Sequence, residues 1–327
     1  MRILIIGGTR FVGRHITEAA LAAGHEISLL HRGRTGADLF PEAEHLTADR
    51  NTDLSILRDR TWDATIDVSA YLPTQVDLLA DTLSTGRYLL ISSTSVYTPP
   101  PAPGFAEDSP LAEIDGPVPT EVTNETYGAL KALCERTAAA RFGRNTLVVR
   151  PTYVIGPHDH TGRFTYWVNR IAEGGEILAP GDPADPIQVI DARDLASWIV
   201  TLLDRPLDPA APTVFHAVSP APPYSFGDML EAILAEVGPP GTTLTWVGAD
   251  FLFSEGENGA SLPLWSEGDE WMTANTADPA AAHAAGLDPR PLGRSVREIR
   301  AAEAAFSTEI TITREREAEL LAKWHSH

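Results

Sequence analysis

The sequence predicts a doubly wound α/β fold, a largely parallel sheet flanked by helices, with a second, smaller substrate domain. Three observations carry this expectation. Short apolar runs alternate with helix-like stretches through residues 1–150, and the first run leads straight into a glycine-rich turn. Beyond Arg150 the composition shifts, with six of the seven tryptophans in the later part of the chain.

Ile3–Ile6, Glu26–Leu30, Ala64–Val68, Tyr88–Ile91 and Thr146–Val149 are apolar runs too short for helices and bounded by turn residues, so they read as buried parallel strands. Phe11–Ala23 and Asn124–Phe142 read as helices, with Gly24 and Gly143 as stop signals just past their ends. Thr98–Thr120 holds seven prolines, which exclude both a regular helix and a central strand. It is expected to be a long ordered loop and is read as a lid. Gly/Pro-rich joints at Gly174–Gly181, Pro206–Pro212 and Pro220–Pro223 mark a smaller domain, while Asp191–Leu203 reads as a helix that returns to the first one. The expected division is therefore 1–155 with 188–217 returning to it, and 156–327 for the interleaved substrate domain. The latter ends in a short helix, Arg314–Trp324, with Leu320, Leu321 and Trp324 on one face.

A formal net charge of −20 repels a phosphate backbone and argues against a nucleic-acid partner. The single cysteine, Cys134, excludes an intrachain disulfide framework and every multi-cysteine metal site. No apolar run approaches the roughly 18 to 20 residues of a membrane span, and Met1–Ile6 is too short for a signal peptide, so a cytoplasmic protein without a membrane partner is expected. His158-Asp159-His160 reads as polar residues of a Gly-Pro turn rather than as metal ligands, and no metal is expected. Neither a nucleophile elbow nor a phosphate-loop motif is present.

The turn Gly7-Gly8-Thr9-Arg10-Phe11-Val12-Gly13 joins the first strand to the first helix. Glycines let the backbone approach a pyrophosphate, and the helix N-terminus offers unpaired N–H groups with a favourable dipole. Cofactor choice is read at the end of the second strand, where a carboxylate would hydrogen-bond the ribose of NAD. Here stands Leu30-His31-Arg32-Gly33-Arg34, without an acid. Arg32 and Arg34, joined by Arg10, suit a 2′-phosphate because guanidinium groups form paired, charge-assisted bonds to its oxygens. NADP(H) is the expected cofactor.

Tyr127 and Lys131 stand at i and i+4 of a predicted helix and so on one face. With seven tyrosines and only two lysines in the chain, about 0.04 such pairs are expected by chance. An ammonium beside a phenol favours the phenolate and makes the hydroxyl an effective proton donor near neutral pH, while the same lysine can reach ribose hydroxyls.

These residues carry a resemblance over about the first two hundred positions. The glycine loop resembles the G-x-x-G-x-x-G loop of extended short-chain dehydrogenases/reductases, the NAD-dependent epimerase/dehydratase-like group, with Arg10 in place of the middle glycine. Ser92-Ser93-Thr94-Ser95-Val96-Tyr97 resembles the strand end that carries the group's catalytic hydroxyl, which implies Ser93, with Thr94 as the alternative. Arg150–Pro157 and Asp191–Ala196 resemble later family segments, and Asp49 falls where many relatives hold the adenine amino group. The resemblance implies a Rossmann fold, a catalytic set of Ser93, Tyr127 and Lys131, and a homodimer as a possible assembly.

The sequence departs from the family in three places. Thr94 and Ser95 stand where 4,6-dehydratases have Asp-Glu, Tyr153 stands where sugar-nucleotide enzymes have Asn, and Ile187-Gln188 stands where they often have Arg-Asp. Arg10 is also similar to the loop of an atypical subgroup, some members of which bind RNA or sense redox state without catalysis. The reading is an NADP(H)-dependent oxidoreductase acting on a small carbonyl, alcohol or imine-like molecule. The alternatives are an epimerase or isomerase of a sugar-like substrate with retained cofactor, and a non-catalytic NADP(H)-dependent binding protein. Thr94, Tyr153, Arg163 and Trp167 are candidate substrate contacts, with Phe164 and Tyr166 beside them and Trp265 and Trp271 as covers. Core packing accounts for the tryptophans equally well.

Overall fold

Seven strands, all paired in parallel, make the central sheet of the computed structural model, which describes residues 1–205, 213–219, 224–266, 268–302 and 312–326. The expected joints at Pro206–Pro212 and Pro220–Pro223 lie outside the described residues. In chain order the elements that build the sheet layer are β1 (Arg2–Ile6), α1 (Phe11–Ala22), β2 (Glu26–His31), β3 (Glu44–Thr47), β4 (Thr61–Asp67), α2 (Pro73–Ala80), β5 (Ser84–Ile91), α3 (Asn124–Phe142), β6 (Thr146–Pro151), α4 (Ala192–Asp204) and β7 (Val214–Ala217). The sheet order is β7-β6-β5-β4-β1-β2-β3. Its inner strands are buried on both faces, as helix-covered parallel sheets require, which is why Ile3–Ile6 and Leu89–Ile91 are continuous apolar runs.

Strand order reverses at β1, which pairs with β2 on one side and β4 on the other. Ligands of such sheets bind beyond the carboxyl ends of the strands at this switch point. The chain places there the glycine turn after β1, Ser69–Tyr71 after β4 and Ser92–Tyr97 after β5. α1 ends at Gly24, whose φ of +79° is a left-handed conformation that favours glycine. α3 begins with a capping box between Thr123 and Thr126.

The chain divides into two compact units, one of Met1–Val154, Ala192–Val218 and Ala277–Asp288, the other of Ile155–Asp191, Ser219–Thr276 and Pro289–His327. In the second unit the helices Arg163–Glu173, Phe226–Val237 and Leu292–Ala301 pack together, and Glu176–Pro180 pairs in parallel with Thr243–Val247. The terminal helix Arg314–Trp324 buries Leu320 and Leu321. Glu317 fastens it by accepting from Arg170 Nε at 2.6 Å and from the Leu178 N–H at 3.0 Å. Among the described residues no helix is long and apolar enough to cross a membrane.

The proline-rich segment differs from the expected lid. It is tied down in its middle: Phe105 is buried, its ring edge-on to Tyr97 at 4.8 Å and His216 at 5.5 Å. Glu107 takes the His216 N–H on its carboxylate at 2.9 Å and an Arg150 N–H on its carbonyl at 2.9 Å. Ala112 N–H donates to the Val96 carbonyl at 2.7 Å. Prolines exclude regular structure without implying mobility, and this segment is a fixed strap.

Candidate active site

The glycine turn is built by close approach. A Cβ on Gly13 would lie 2.0 Å from the Gly7 carbonyl oxygen, and one on Gly8 would lie 2.7 Å from both Leu29 Cδ2 and Thr17 Oγ1. Gly7 itself has φ of +85°. Thr17 Oγ1 lies 2.9 Å from the carbonyls of both Gly8 and Gly13, holding α1 to the turn. Thr9 and Phe11 are buried, Val12 is half-buried and Arg10 is exposed. No side chain caps the start of α1 and no acid stands in its first turn, an arrangement suited to an anionic ligand.

At the end of β2 the position of the missing acid is taken by His31, both of whose ring nitrogens are engaged. Gly33 N–H donates to His31 Nδ1 at 2.9 Å, so His31 Nε2 carries the proton and donates to His45 Nδ1 at 2.8 Å, and His45 Nε2 donates to the Phe40 carbonyl at 3.1 Å. Burial, together with His45, holds His31 below the usual histidine range, in keeping with this neutral chain. Arg32 and Arg34 project as exposed cations. Asp49 is held below its ordinary value first by the Asn51 N–H and then by the Asn51 side chain, with smaller contributions from the charges of Arg32 and Arg34.

Lys131 is 2% exposed, and its ammonium donates to the carbonyls of Ala70 at 2.8 Å and Ile91 at 2.6 Å. It lies 5.6 Å from the centre of the Tyr71 ring, which is 6.3 Å from the ring of the half-buried Tyr127. Burial pushes Lys131 below the usual lysine range, with Cys134, Asp67 and Glu135 acting in the opposite direction. Gly128, between the two candidates, allows α3 to lie on the turn Thr94–Tyr97: a Cβ there would meet the Ser95 carbonyl oxygen at 2.1 Å. Ser93 caps that turn, accepting from the Ser95 N–H at 3.1 Å and donating to the Ser95 hydroxyl at 3.0 Å. Thr94 is its half-buried first residue.

Two buried charge networks support this arrangement, and neither was expected from the sequence. Asp67, at the end of β4, accepts from Arg50 through both oxygens at 2.6 and 2.7 Å and from the Tyr88 hydroxyl at 2.7 Å. Asp67 Oδ1 also takes the Ser69 N–H at 3.1 Å and so fixes the turn that presents the Ala70 carbonyl to Lys131. Burial alone would raise the Asp67 carboxyl, but the Arg50 charge and hydrogen bonds bring it below its ordinary value. In the second network, Arg150 meets Glu135 at 3.0 and 2.6 Å and donates to the Tyr97 hydroxyl, which lies 2.8 Å from His216 Nε2. The signal for the first was a carboxylate closing a buried apolar strand, which demands a partner.

The candidate substrate contacts differ in burial. Tyr153 is half-buried, and Arg163, also half-buried, opens a helix with Nε 3.3 Å from Thr161 Oγ1. Trp167 corrects the expectation: it is 0% exposed and its indole N–H donates to the Pro263 carbonyl at 2.7 Å. It is core, stacked edge-on against Tyr166 and Phe226. Phe164, Tyr166 and Trp265 are buried likewise. Among the described residues no group of three or more His, Cys, Asp or Glu side chains could hold a metal ion.

Residues 63–217 match the model of the NAD dependent epimerase/dehydratase family. The chloroplast stem-loop binding protein of 41 kDa b from Arabidopsis thaliana is 25% identical over 222 residues, 62% of this chain and 55% of that protein. The chain thus spans about half the length of this relative. Among solved structures, UDP-glucuronic acid 4-epimerase from Bacillus cereus in complex with NAD aligns with a TM-score of 0.66 at 16% identity, over 94% of this chain and 99% of that one. A dTDP-glucose 4,6-dehydratase from Streptomyces venezuelae, also with NAD bound, aligns with a TM-score of 0.63 at 19% identity, over 94% and 99%. At these identities the solved structures speak to the fold.

Proposed function

We propose that this chain, whose residues 63–217 match the model of the NAD dependent epimerase/dehydratase family, is an NADP(H)-dependent oxidoreductase acting on a small carbonyl, alcohol or imine-like substrate. The observation that carries the reading is the Lys131 ammonium, buried between two main-chain carbonyls one helical turn from Tyr127. A buried cation beside a phenol favours the phenolate, so Tyr127 delivers or takes the substrate proton, and the Ser93 hydroxyl, or that of Thr94, steadies the substrate oxygen. Bound NADP(H) supplies or accepts the hydride. Gly7, Gly8 and Gly13 with the uncapped start of α1 fit its pyrophosphate. Arg10, Arg32 and Arg34 fit the 2′-phosphate, Asp49 the adenine, and Lys131 the ribose.

NADP(H) is favoured over NAD(H) because the acid's position holds His31, whose ring is already committed to Gly33 and His45. The second reading, an epimerase that oxidises and re-reduces a sugar-like substrate, is favoured by the description of the matched family. Stem-loop binding, which the name of the Arabidopsis relative gives to that protein, sits poorly with a net charge of −20 here. The reading takes the protein to be cytoplasmic, with a small-molecule substrate and without nucleic-acid or membrane partners. The experiment is a titration of purified protein with NADPH and NADH, followed by incubation with a panel of aldehydes, ketones and cyclic imines. Tighter NADPH binding and consumption of one NADPH per product support the reading. Product formed while the cofactor stays bound and unconsumed supports the epimerase, and binding without turnover of any compound supports a regulatory protein.

A further inference from the structure

We propose that Tyr71 is a positioning residue for the Tyr127/Lys131 pair: the face of its ring, together with the Ala70 and Ile91 carbonyls, holds the Lys131 ammonium in place. This rests on reading Lys131 as the group that acts on Tyr127. An ammonium has three N–H donors, and the two carbonyls take two of them. Both carboxylates that act on Lys131, Asp67 and Glu135, are committed to Arg50 and Arg150, and Arg50 itself repels the ammonium. The neighbouring Cys134 thiol is pushed up by burial, to about 11, and is neutral at physiological pH. Lys131 is therefore a buried cation whose nearby carboxylates are shared with arginines, and the electron-rich face of Tyr71, 5.6 Å from Nζ, is a further group that favours the charged form beside the two carbonyls.

The ring is placed by its backbone. Gln75 Oε1 accepts the N–H groups of Tyr71 at 2.8 Å and Leu72 at 3.2 Å, and Gln75 Nε2 donates to Asn51 Oδ1 at 2.8 Å. Tyr71 nevertheless remains 43% exposed. A large aromatic side chain held by a fixed turn, left partly in solvent and set beside both members of the pair, is poorly explained by core packing.

The chain has two lysines, Lys131 and Lys323, so the ammonium can be followed alone. The protein is labelled with 13Cε-lysine and titrated by NMR as the parent, Tyr71→Phe and Tyr71→Leu, with Lys323, 44% exposed on the terminal helix, as an internal control. Tyr71→Phe keeps the ring and should leave the Lys131 midpoint where it is. Tyr71→Leu removes the ring and should lower it by about half to one pH unit, with Lys323 unmoved. 13Cζ-tyrosine labelling reads the partner: the Tyr127 midpoint should rise in Tyr71→Leu and rise further in Lys131→Met. Identical Lys131 midpoints in the parent and Tyr71→Leu, or equal shifts in the Phe and Leu variants, would overturn the role of the ring. A Tyr127 midpoint indifferent to Lys131→Met would instead overturn the reading of the pair itself.

Discussion

A buried charge in this protein is held wherever a second group meets it, and the strongest single-residue effects follow from that. Asp67→Asn leaves the Arg50 guanidinium buried without its counter-charge and should destabilise the fold by about 3–5 kcal/mol in urea unfolding. The sign with pH is fixed by the Asp67 carboxyl lying below its unfolded value, because Arg50 outweighs burial. The pair's contribution is fully present above about pH 4, the unfolded aspartate value, and is lost as pH falls through the lower folded value. Parent stability should decline over that acid range, and the part of the decline due to this pair should vanish in Asp67→Asn. Arg32→Ala should narrow the gap between NADPH and NADH affinity by about 1–3 kcal/mol, the scale of a charge-assisted contact; equal affinities in the parent, measured by calorimetry, would contradict it. The placement of Tyr127 and Lys131 on one helix was legible because a lysine is rare in this chain and i, i+4 spacing has one geometric meaning. Arg50 and Tyr71 were not, because their partners Asp67 and Lys131 are brought to them by strand order rather than by spacing.

Elements were legible where one physical signal dominated. β1, α1 and α3 follow from apolar runs and from glycines placed where the chain must turn. β3 is an edge strand of four residues with one fully buried side chain, Leu46, and β7 closes the opposite edge, so neither shows the continuous apolar run of an inner strand. α2 is two turns long and starts at Pro73, which reads as easily as a turn. The strap at Phe105–Glu107 was hidden because its anchors, Arg150 and His216, belong to other strands. Gly128 is where element packing can be tested. Alanine in a helix gains about 1 kcal/mol over glycine in intrinsic propensity, but here its Cβ would sit 2.1 Å from a main-chain oxygen of the turn after Ser93. Overpacking of this kind costs about 1–3 kcal/mol or more, so Gly128→Ala should lower the melting temperature. It should also weaken turnover by shifting α3 away from that turn, and a melting temperature at or above the parent's would show that the helix lies elsewhere.

At the scale of the whole molecule, the seven-stranded Rossmann-type sheet and the match of residues 63–217 to the NAD dependent epimerase/dehydratase model are the frame for the proposed nicotinamide chemistry, and the side chains at the switch point are what the proposal adds to it. In the proposed site, elimination from a nucleotide sugar would need an acid and a base after the Ser93 hydroxyl, and Thr94 and Ser95 supply neither. No 4-keto-6-deoxy product should form from any nucleotide hexose, as checked by mass spectrometry of incubations with the common nucleotide sugars; its appearance would reopen the dehydratase reading. The most direct test of the proposed chemistry is NADPH oxidation by the parent and by Tyr127→Phe on one established substrate, with NADPH affinity measured on both. The substitution removes a proton donor while keeping the ring, so turnover should fall by about two to four orders of magnitude and affinity should hardly change. Near-parental turnover in Tyr127→Phe would contradict the assignment and move the proton transfer to another group.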